Sequence, residues 1–598
     1  MKTRSPKRDA SRVASRSAPP VKPPDRPRPP GRPFFGHALA RRHLLVALIL
    51  GLVLIGAGIA LRGTIRHVTA DFLGVRLKNQ ILALWTIAVA PPLDTADLAP
   101  IAYDDLAPFA VNVFLDQEVQ LANVGRSLDL VRALGFHFVK QELVWSDVER
   151  PGKGQFVDSA VIGKSSWDNY DRIVEEAQKR GIEVIFRIDT SPAWARPGTD
   201  KIETPPQNFQ DYADFVAAVV QRYQGRVHYY QIWNEPNWAF EWGDRVASPA
   251  EYVGLLRIAY TRAKAVDPSV TILSASLAPT IENSDRAESD VTFLQEMYDA
   301  GAKPYFDVLS ANAYGLRNGP DDWRFNRTDD VNFARPVLLR ETMVRNGDQG
   351  KPIWASEIGW DALPADWSQY PLLFGSVSRA LQAEYTVRAY QRAAEQWPWM
   401  DVMAVWHLRK VHPADAAVQD YYFDLVSTDW QLEPVYLALQ QLAAAPPVVH
   451  RGYHQESYWG LSWGPGWQHV TDPRAVLGGY QQTSAAGAQL DFDLDASWLD
   501  LVTTVGPGRG TVSVTVDGSP LNANRLPIKG GQAILSLAGP AERWQVRQPI
   551  ADALGPGIHH VTLRVLSGDV AIDGLIADRE SPRDQLYWQL TGGLIGLA

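Results

Sequence analysis

Two glutamates stand in apolar surroundings, where an ionised carboxylate is costly unless it is paired or used. One closes the run Tyr230-Gln231-Ile232-Trp233-Asn234-Glu235-Pro236. The other lies within Ile353-Trp354-Ala355-Ser356-Glu357-Ile358-Gly359-Trp360. A single such Glu could cap a helix or pair with an Arg as readily as do chemistry. Two of them, each ending an apolar run of strand character, suggest a working pair. Cleaving a glycosidic bond needs a proton for the leaving oxygen and a nucleophile or base on the other face of the sugar, and paired carboxylates supply both. Their environments must push their pKa values apart, with the acid raised towards ~6–7. A separation of about 5–5.5 Å goes with retention of configuration, and a wider gap with inversion.

The elements that must position this pair are legible in the period of the sequence. Over residues 108–446, short apolar runs alternate with amphipathic stretches, the pattern of parallel strands joined by helical crossovers. Strands are expected at 111–115, 136–143, 183–188, 227–233, 271–276, 307–311, 352–356 and 402–406. Helices are expected at 119–134, 167–180, 209–223, 250–266, 291–300, 336–345, 380–396 and 434–444. Gly135, Gly181 and Gly347 stand where helices should stop in a left-handed cap. Eight strands each followed by a helix predict an α/β fold, a closed (β/α)8 TIM barrel with its chemistry at the C-terminal strand ends. The competing doubly wound sheet would want a Gly-rich phosphate turn after its first strand, and there is none. In the barrel, Glu235 ends the fourth strand and Glu357 the seventh.

The barrel segment as a whole resembles the clan A retaining glycoside hydrolases, most closely the family 39 and family 5 type. Trp233-Asn234-Glu235-Pro236 is similar to the clan's acid/base signature. The resemblance implies that Glu235 is the general acid/base and Glu357 the nucleophile. It implies further that Asn234 hydrogen-bonds the sugar 2-hydroxyl. Tyr314, ending Ala311-Asn312-Ala313-Tyr314, would orient the nucleophile, and Trp406 would be an aromatic platform. Relatives often carry an Arg at the end of the second strand, where this chain has Lys140. Lysine keeps the charge but loses the planar fork. Arg187 on the third strand is either its substitute or a structural partner for Asp189. Trp194, Trp238, Trp242 and Trp360 fall on loops at the catalytic end, where about half are expected to bind sugar faces and the rest to pack loops together. His228, His407 and His412 match no zinc spacing, and no metal or organic cofactor is implied.

Composition bounds the setting. The 598 residues carry 58 Lys+Arg against 67 Asp+Glu, a net charge of -9, which argues against a nucleic-acid partner. With no cysteine, disulfides, thiolate nucleophiles and Cys-ligated metals are excluded. Residues 1–42 hold twelve Lys/Arg against Asp9 and Asp25, with many prolines, the composition of a disordered tail. Residues 44–61 are apolar and uncharged and would make a helix of about 27 Å, close to the ~30 Å hydrocarbon core. One transmembrane helix over 43–62 is therefore expected, in preference to a core helix or a cleaved signal peptide. The basic flank keeps the tail cytoplasmic and everything after the span outside. Residues 63–107 read as a stalk and 581–598 as a tail. Between 447 and 580, strands at 490–494, 511–516, 533–537, 560–565 and within 568–573 are separated by turn pairs such as Asp517-Gly518, predicting a smaller all-β sandwich. The expected function is a membrane-anchored retaining β-glycosidase acting on an extracytoplasmic oligo- or polysaccharide. A transglycosylase using the same site and a non-catalytic glycan-binding protein are the alternatives. Protein partners are not legible.

Overall fold

The computed structural model of the protein describes residues 93–103, 106–158, 163–322, 331–369 and 371–579. The expected tail 1–42, the span 43–62, most of the stalk and the tail 581–598 lie outside the described residues. Among the described residues, no helix is long and apolar enough to cross a membrane.

Eight parallel strands form the first sheet: β1 Phe109–Val113, β2 Phe138–Val144, β3 Glu183–Asp189, β4 Tyr229–Ile232, β5 Thr271–Leu273, β6 Leu309–Tyr314, β7 Ile353–Gly359 and β8 Met400–Val405. Their order is β5-β4-β3-β2-β1-β8-β7-β6. The first and eighth strands pair in parallel, and parallel bridges Leu273↔Val308 and Leu277↔Ala311 join the two ends of that order. The sheet thus closes as a barrel, and the open doubly wound alternative is excluded. Helices follow the strands in turn: α1 Leu121–Leu134, α2 Asp168–Gln178, α3 Phe209–Arg222, α4 Pro249–Val266, α5 Asp290–Asp299, α6 Pro336–Arg345, α7 Arg379–Gln396 and α8 Pro434–Ala443. Local chemistry sets their limits. Asn208, Ser248 and Ser378 accept backbone N–H bonds at the starts of α3, α4 and α7, satisfying donors the helix leaves unpaired. Gly135 ends α1 at φ 83°, a left-handed position that a Cβ would disfavour.

The inside of the barrel is divided by chemistry. Its N-terminal half is filled by Ala110, Phe138, Ile185, Trp354, Val402 and Ala404, with Tyr229 packed on them, so it is a solid plug rather than a pore. Above this floor the inward residues become polar. Gln231 accepts from Ser356 Oγ at 2.8 Å, and the amide of Asn112 donates to the carbonyl of Ser356 at 3.0 Å.

One irregularity bears directly on the site. Between β6 and β7 the pairing runs Ala311↔Ala355 and then Asn312↔Glu357, leaving Ser356 as an extra residue. Alternation would point Ser356 and Glu357 to opposite faces. The bulge re-aims the chain so that Ser356 reaches Gln231 in the lumen while Glu357 reaches the mouth, a use of bulges common beside active sites.

The strand limits differ from expectation in an instructive way. The apolar run of the sixth strand stops at residue 311, but the strand continues to Tyr314, where the resemblance puts its end, because Asn312 and Tyr314 are polar residues facing a polar mouth rather than a turn. The fifth ends at Leu273, short of residue 276. Beyond it, Ser276 lies beside Asn234.

The C-terminal region is built of two sheets. One runs in the order Gln468–Thr471, Gly479–Thr483, Val570–Asp578, Trp498–Val505 and Arg543–Ala551, with Gly452–Gln455 also on Val570–Asp578. The other contains Gln489–Leu494, His559–Ser567, Thr511–Val516 and Gln532–Ser536 at its centre. Leu490, Phe492, Val514 and Leu563 from one sheet share a core with Leu499, Leu501, Ile572 and Ala577 from the other, the interleaving of a sandwich. The sequence pattern does not reveal Arg543–Ala551. It is an edge strand with a proline at Pro549 and alternating exposed residues, so it carries no apolar run.

Candidate active site

Glu357, in the C-terminal half of β7, is almost fully buried, at 6% exposure, and is met by three donors from two strands. Lys140 Nζ on β2 lies 3.2 Å from its Oε1. From β6, Asn312 Nδ2 donates to Oε2 at 3.1 Å and Tyr314 OH donates to the same oxygen at 2.8 Å. Asn312 and Tyr314 are two apart on one strand and so share a face. Burial pulls the Lys140 ammonium below its ordinary range, while the charge of Glu357 works against that pull.

Glu235 follows the end of β4 with its backbone in the left-handed region, φ 36°, an uncommon conformation for a non-glycine residue and one that clusters at functional sites. Its N–H donates to the carbonyl of Ser276 at 2.9 Å. Its Oε1 accepts from Asn312 Nδ2 at 2.6 Å, the nitrogen that also serves Glu357. Those two carboxylate oxygens therefore lie no more than about 5.7 Å apart, the two bonds laid end to end. Burial first, then the charge of Glu357 and that of Glu241, push the Glu235 carboxyl up to about 8. This is the direction expected of a general acid and a larger shift than the sequence alone suggests.

The other expected residues divide. Asn234 is buried beside the pair, with its Oδ1 accepting from Ser276 Oγ at 3.0 Å. Trp406 ends the barrel half-buried at the eighth strand, its Nε1 donating to Asp420 at 2.6 Å and its ring edge-on to Phe114. Trp238 is 43% exposed, and its N–H bonds the carbonyl of Glu235 at 2.9 Å, so an open aromatic residue stands beside Glu235. Trp360 is not available to a sugar. It is 1% exposed, wedged between Phe333 and Tyr385, with Nε1 on the carbonyl of Asn318. A Cβ on Gly315 would stand 2.0 Å from its ring. Trp194 spends its indole N–H on the carbonyl of Glu149 at 2.7 Å and packs edge-on against Trp145, so it fastens loops. Trp242 is fully buried. Arg187 pairs with Asp189 at 2.8 Å and Glu142 at 2.6 Å, the structural alternative. His407 is buried against the carbonyl of Asp420, and burial lowers its imidazole to about 3.

Two members of the site escaped the sequence reading. Asn312 is the bridge between the carboxylates, and its signal was available: Ser310, Asn312 and Tyr314 place a polar side chain at every second position of an otherwise apolar strand. Glu241 stands in a short 3-10 turn, Ala239–Trp242, and no periodicity marks it.

No protein-family model and no curated protein matches the chain. Among solved structures it is similar to a family 39 glycoside hydrolase from Bacteroides cellulosilyticus WH2, at 18% identity and a TM-score of 0.45, over 78% of this chain and 83% of that one. It is also similar to a GH39 β-xylosidase from Caulobacter crescentus, at 15% identity and 0.41, over 79% and 98%. A glucosidase from Croceicoccus marinus gives 13% and 0.42, over 79% and 98%. These likenesses add nothing to what the strand order and the site geometry establish.

Proposed function

We propose that the protein is a retaining glycoside hydrolase acting on β-glycosidic bonds of an oligo- or polysaccharide. The observation that carries this reading is the single amide nitrogen of Asn312 bonded to both Glu235 and Glu357. Two carboxylates 122 positions apart in the chain thus share one donor, which supports the shorter spacing of a retaining pair over the wider one of an inverting pair.

In the first step Glu235, holding its proton, gives it to the leaving oxygen while Glu357 attacks the anomeric carbon. In the second, Glu235 as carboxylate takes a proton from the water that releases the sugar. The environments suit this division. Glu357 faces a cation and two neutral donors, whereas burial keeps Glu235 protonated to about 8. Trp238, open beside Glu235, suits the sugar on the leaving side, and Asn234 the 2-hydroxyl of the reacting sugar. A transglycosylase would use the same intermediate with a sugar in place of water. The sequence supports a membrane-anchored, extracytoplasmic setting, with apolar residues 44–61 behind a basic tail.

The stereochemical course tests the reading. Aryl β-glycosides turned over by the full chain should give the β-anomer first in proton NMR, before mutarotation. The α-anomer as first product would overturn the retaining assignment.

A further inference from the structure

The C-terminal sandwich holds a buried polar cluster that the proposed reaction does not use. Strand Val570–Asp578 pairs on one edge with Trp498–Val505. Two strands lie end to end along its other edge: Gly452–Gln455 against residues 574–577, and Gly479–Thr483 against residues 570–572. Asp573 falls at their junction. One step beyond the last pair of the first ladder, Gln455↔Gly574, brings Glu456 opposite it. Asp573 is also an extra residue against Trp498–Val505, where Val502 pairs with Gly574 and Thr503 with Ile572. A bulge of this kind re-aims a side chain.

Both carboxylates are withdrawn from water, Glu456 at 2% exposure and Asp573 at 1%. The turn leading into Gly479–Thr483 covers them. Val476 N–H donates to Asp573 Oδ1 at 3.0 Å. Gln455 Nε2 donates to the carbonyl of Val476 at 2.8 Å and to that of Gly479 at 3.4 Å. Gly479 lies so close to Glu456 that a Cβ there would stand 2.4 Å from its Oε1. Gln455, Glu456 and Asp573 thus all meet the segment from Val476 to Gly479.

The oxygens turned away from this turn are the informative ones. Carbonyls only accept, so the two around Gln455 fix its nitrogen towards them and its Oε1 away. That Oε1 and Asp573 Oδ2 are buried with no hydrogen-bond partner. Glu456 has His469 Nδ1 at 3.3 Å from its Oε1, on a ring that is half exposed. Water would satisfy the amide oxygen but would leave two like charges buried side by side, which is costly without a counter-charge.

We propose that Gln455, Glu456 and Asp573 form a calcium site that fastens strands Gly452–Gln455 and Val570–Asp578 to the turn at Val476. Among the described residues, no group of three or more His, Cys, Asp or Glu could hold a metal ion. The set here is two carboxylates and an amide oxygen, which is the chemistry of a hard divalent cation. Calcium accepts irregular oxygen shells completed by water, whereas magnesium demands a near-ideal octahedron. The assignment does not depend on the reaction proposed for the barrel.

The test uses the full chain, stripped with EDTA and exchanged into chelator-free buffer. Calorimetric titration with calcium chloride should show one ion bound per chain. Calcium at about 5 mM should raise the thermal midpoint by about 2 °C or more, and magnesium at equal ionic strength by less than half as much. Asp573→Asn keeps the acceptor for Val476 but removes a charge, and it should weaken calcium binding about tenfold or more. Without metal its midpoint should equal or exceed that of the parent, because the buried like-charge pair is gone. Glu456→Gln should behave in the same way, and Glu235→Gln should respond to calcium as the parent does. No heat of calcium binding by the parent overturns the site, whether or not the variants fold. So does an equal calcium response in Asp573→Asn and Glu456→Gln, or a response lost in Glu235→Gln.

Discussion

The ammonium of Lys140 lies 3.2 Å from Oε1 of Glu357, and neither side chain is more than 7% exposed. Among the described residues, its one other hydrogen bond goes to the carbonyl of Ser356, at 3.5 Å. Removing one partner of a buried ion pair leaves the other charge uncompensated. Lys140→Met should lower kcat by about 10²-fold or more, in the range seen when one preorganised charge is removed from an active site. Circular dichroism should show the barrel intact. Full activity in that variant would remove Lys140 from the site.

The pH profile follows from the acid. In the proposed mechanism Glu235 must hold a proton for the first step, and its carboxyl is raised to about 8. Values of kcat/KM should therefore be sustained through neutral pH and fall as pH rises through about 8. An alkaline limb below pH 6 would show that the burial of Glu235 does not hold its proton.

The same shift has a stability cost with a definite sign. A carboxyl whose folded pKa stands above its unfolded value binds more protons folded than unfolded, so stability declines as pH rises from the unfolded pKa through the folded one. Here that window runs from the ordinary glutamate value of 4.5 to about 8. Glu235→Gln should remove this penalty and raise the thermal midpoint at pH 8 by on the order of 1–3 °C, with little change at pH 4. Calorimetry at the two pH values checks this, and a lowered midpoint at pH 8 would contradict it.

Asn312 bonds both carboxylates and lowers the proton affinity of Glu235. Asn312→Ala should reduce kcat by about 10²-fold and move the alkaline limb upward, since a donor to the ionised form is lost. A limb that moves downward would mean that Asn312 does not stabilise the Glu235 carboxylate.

Trp238 and Trp360 should behave oppositely. Trp238 is open and Trp360 is 1% exposed. Trp360→Ala should destabilise the fold by about 3–5 kcal/mol, as large-to-small core changes do. Trp238→Ala should leave the unfolding midpoint within about 1 °C while raising KM for oligosaccharides, since surface changes shift stability little. The reverse pattern would exchange their roles.

Much of this was legible in the residues because the barrel repeats one motif eight times. Each strand announces itself as an apolar run and each helix by its 3.6 period, so Glu235 and Glu357 fall at strand ends by counting alone. What was hidden depends on tertiary geometry. The extra residue at Ser356 reads as ordinary strand, yet it lets two consecutive side chains face inward. Trp360 looks like a sugar platform because it follows a strand end, but the turn at Gly315 folds it under the loop. Glu241 lies in a turn whose shape is set by what Trp233 and Thr204 contact, and no local pattern encodes that.

The most direct test of the account is covalent capture. A panel of 2,4-dinitrophenyl 2-deoxy-2-fluoro-β-glycosides should label the protein covalently with release of one equivalent of dinitrophenolate. Peptide mass spectrometry should then place the fluoro-sugar as an ester on Glu357. Turnover of the parent glycosides with no adduct at any carboxylate, or an adduct on Glu235, would contradict the assignment of nucleophile and acid.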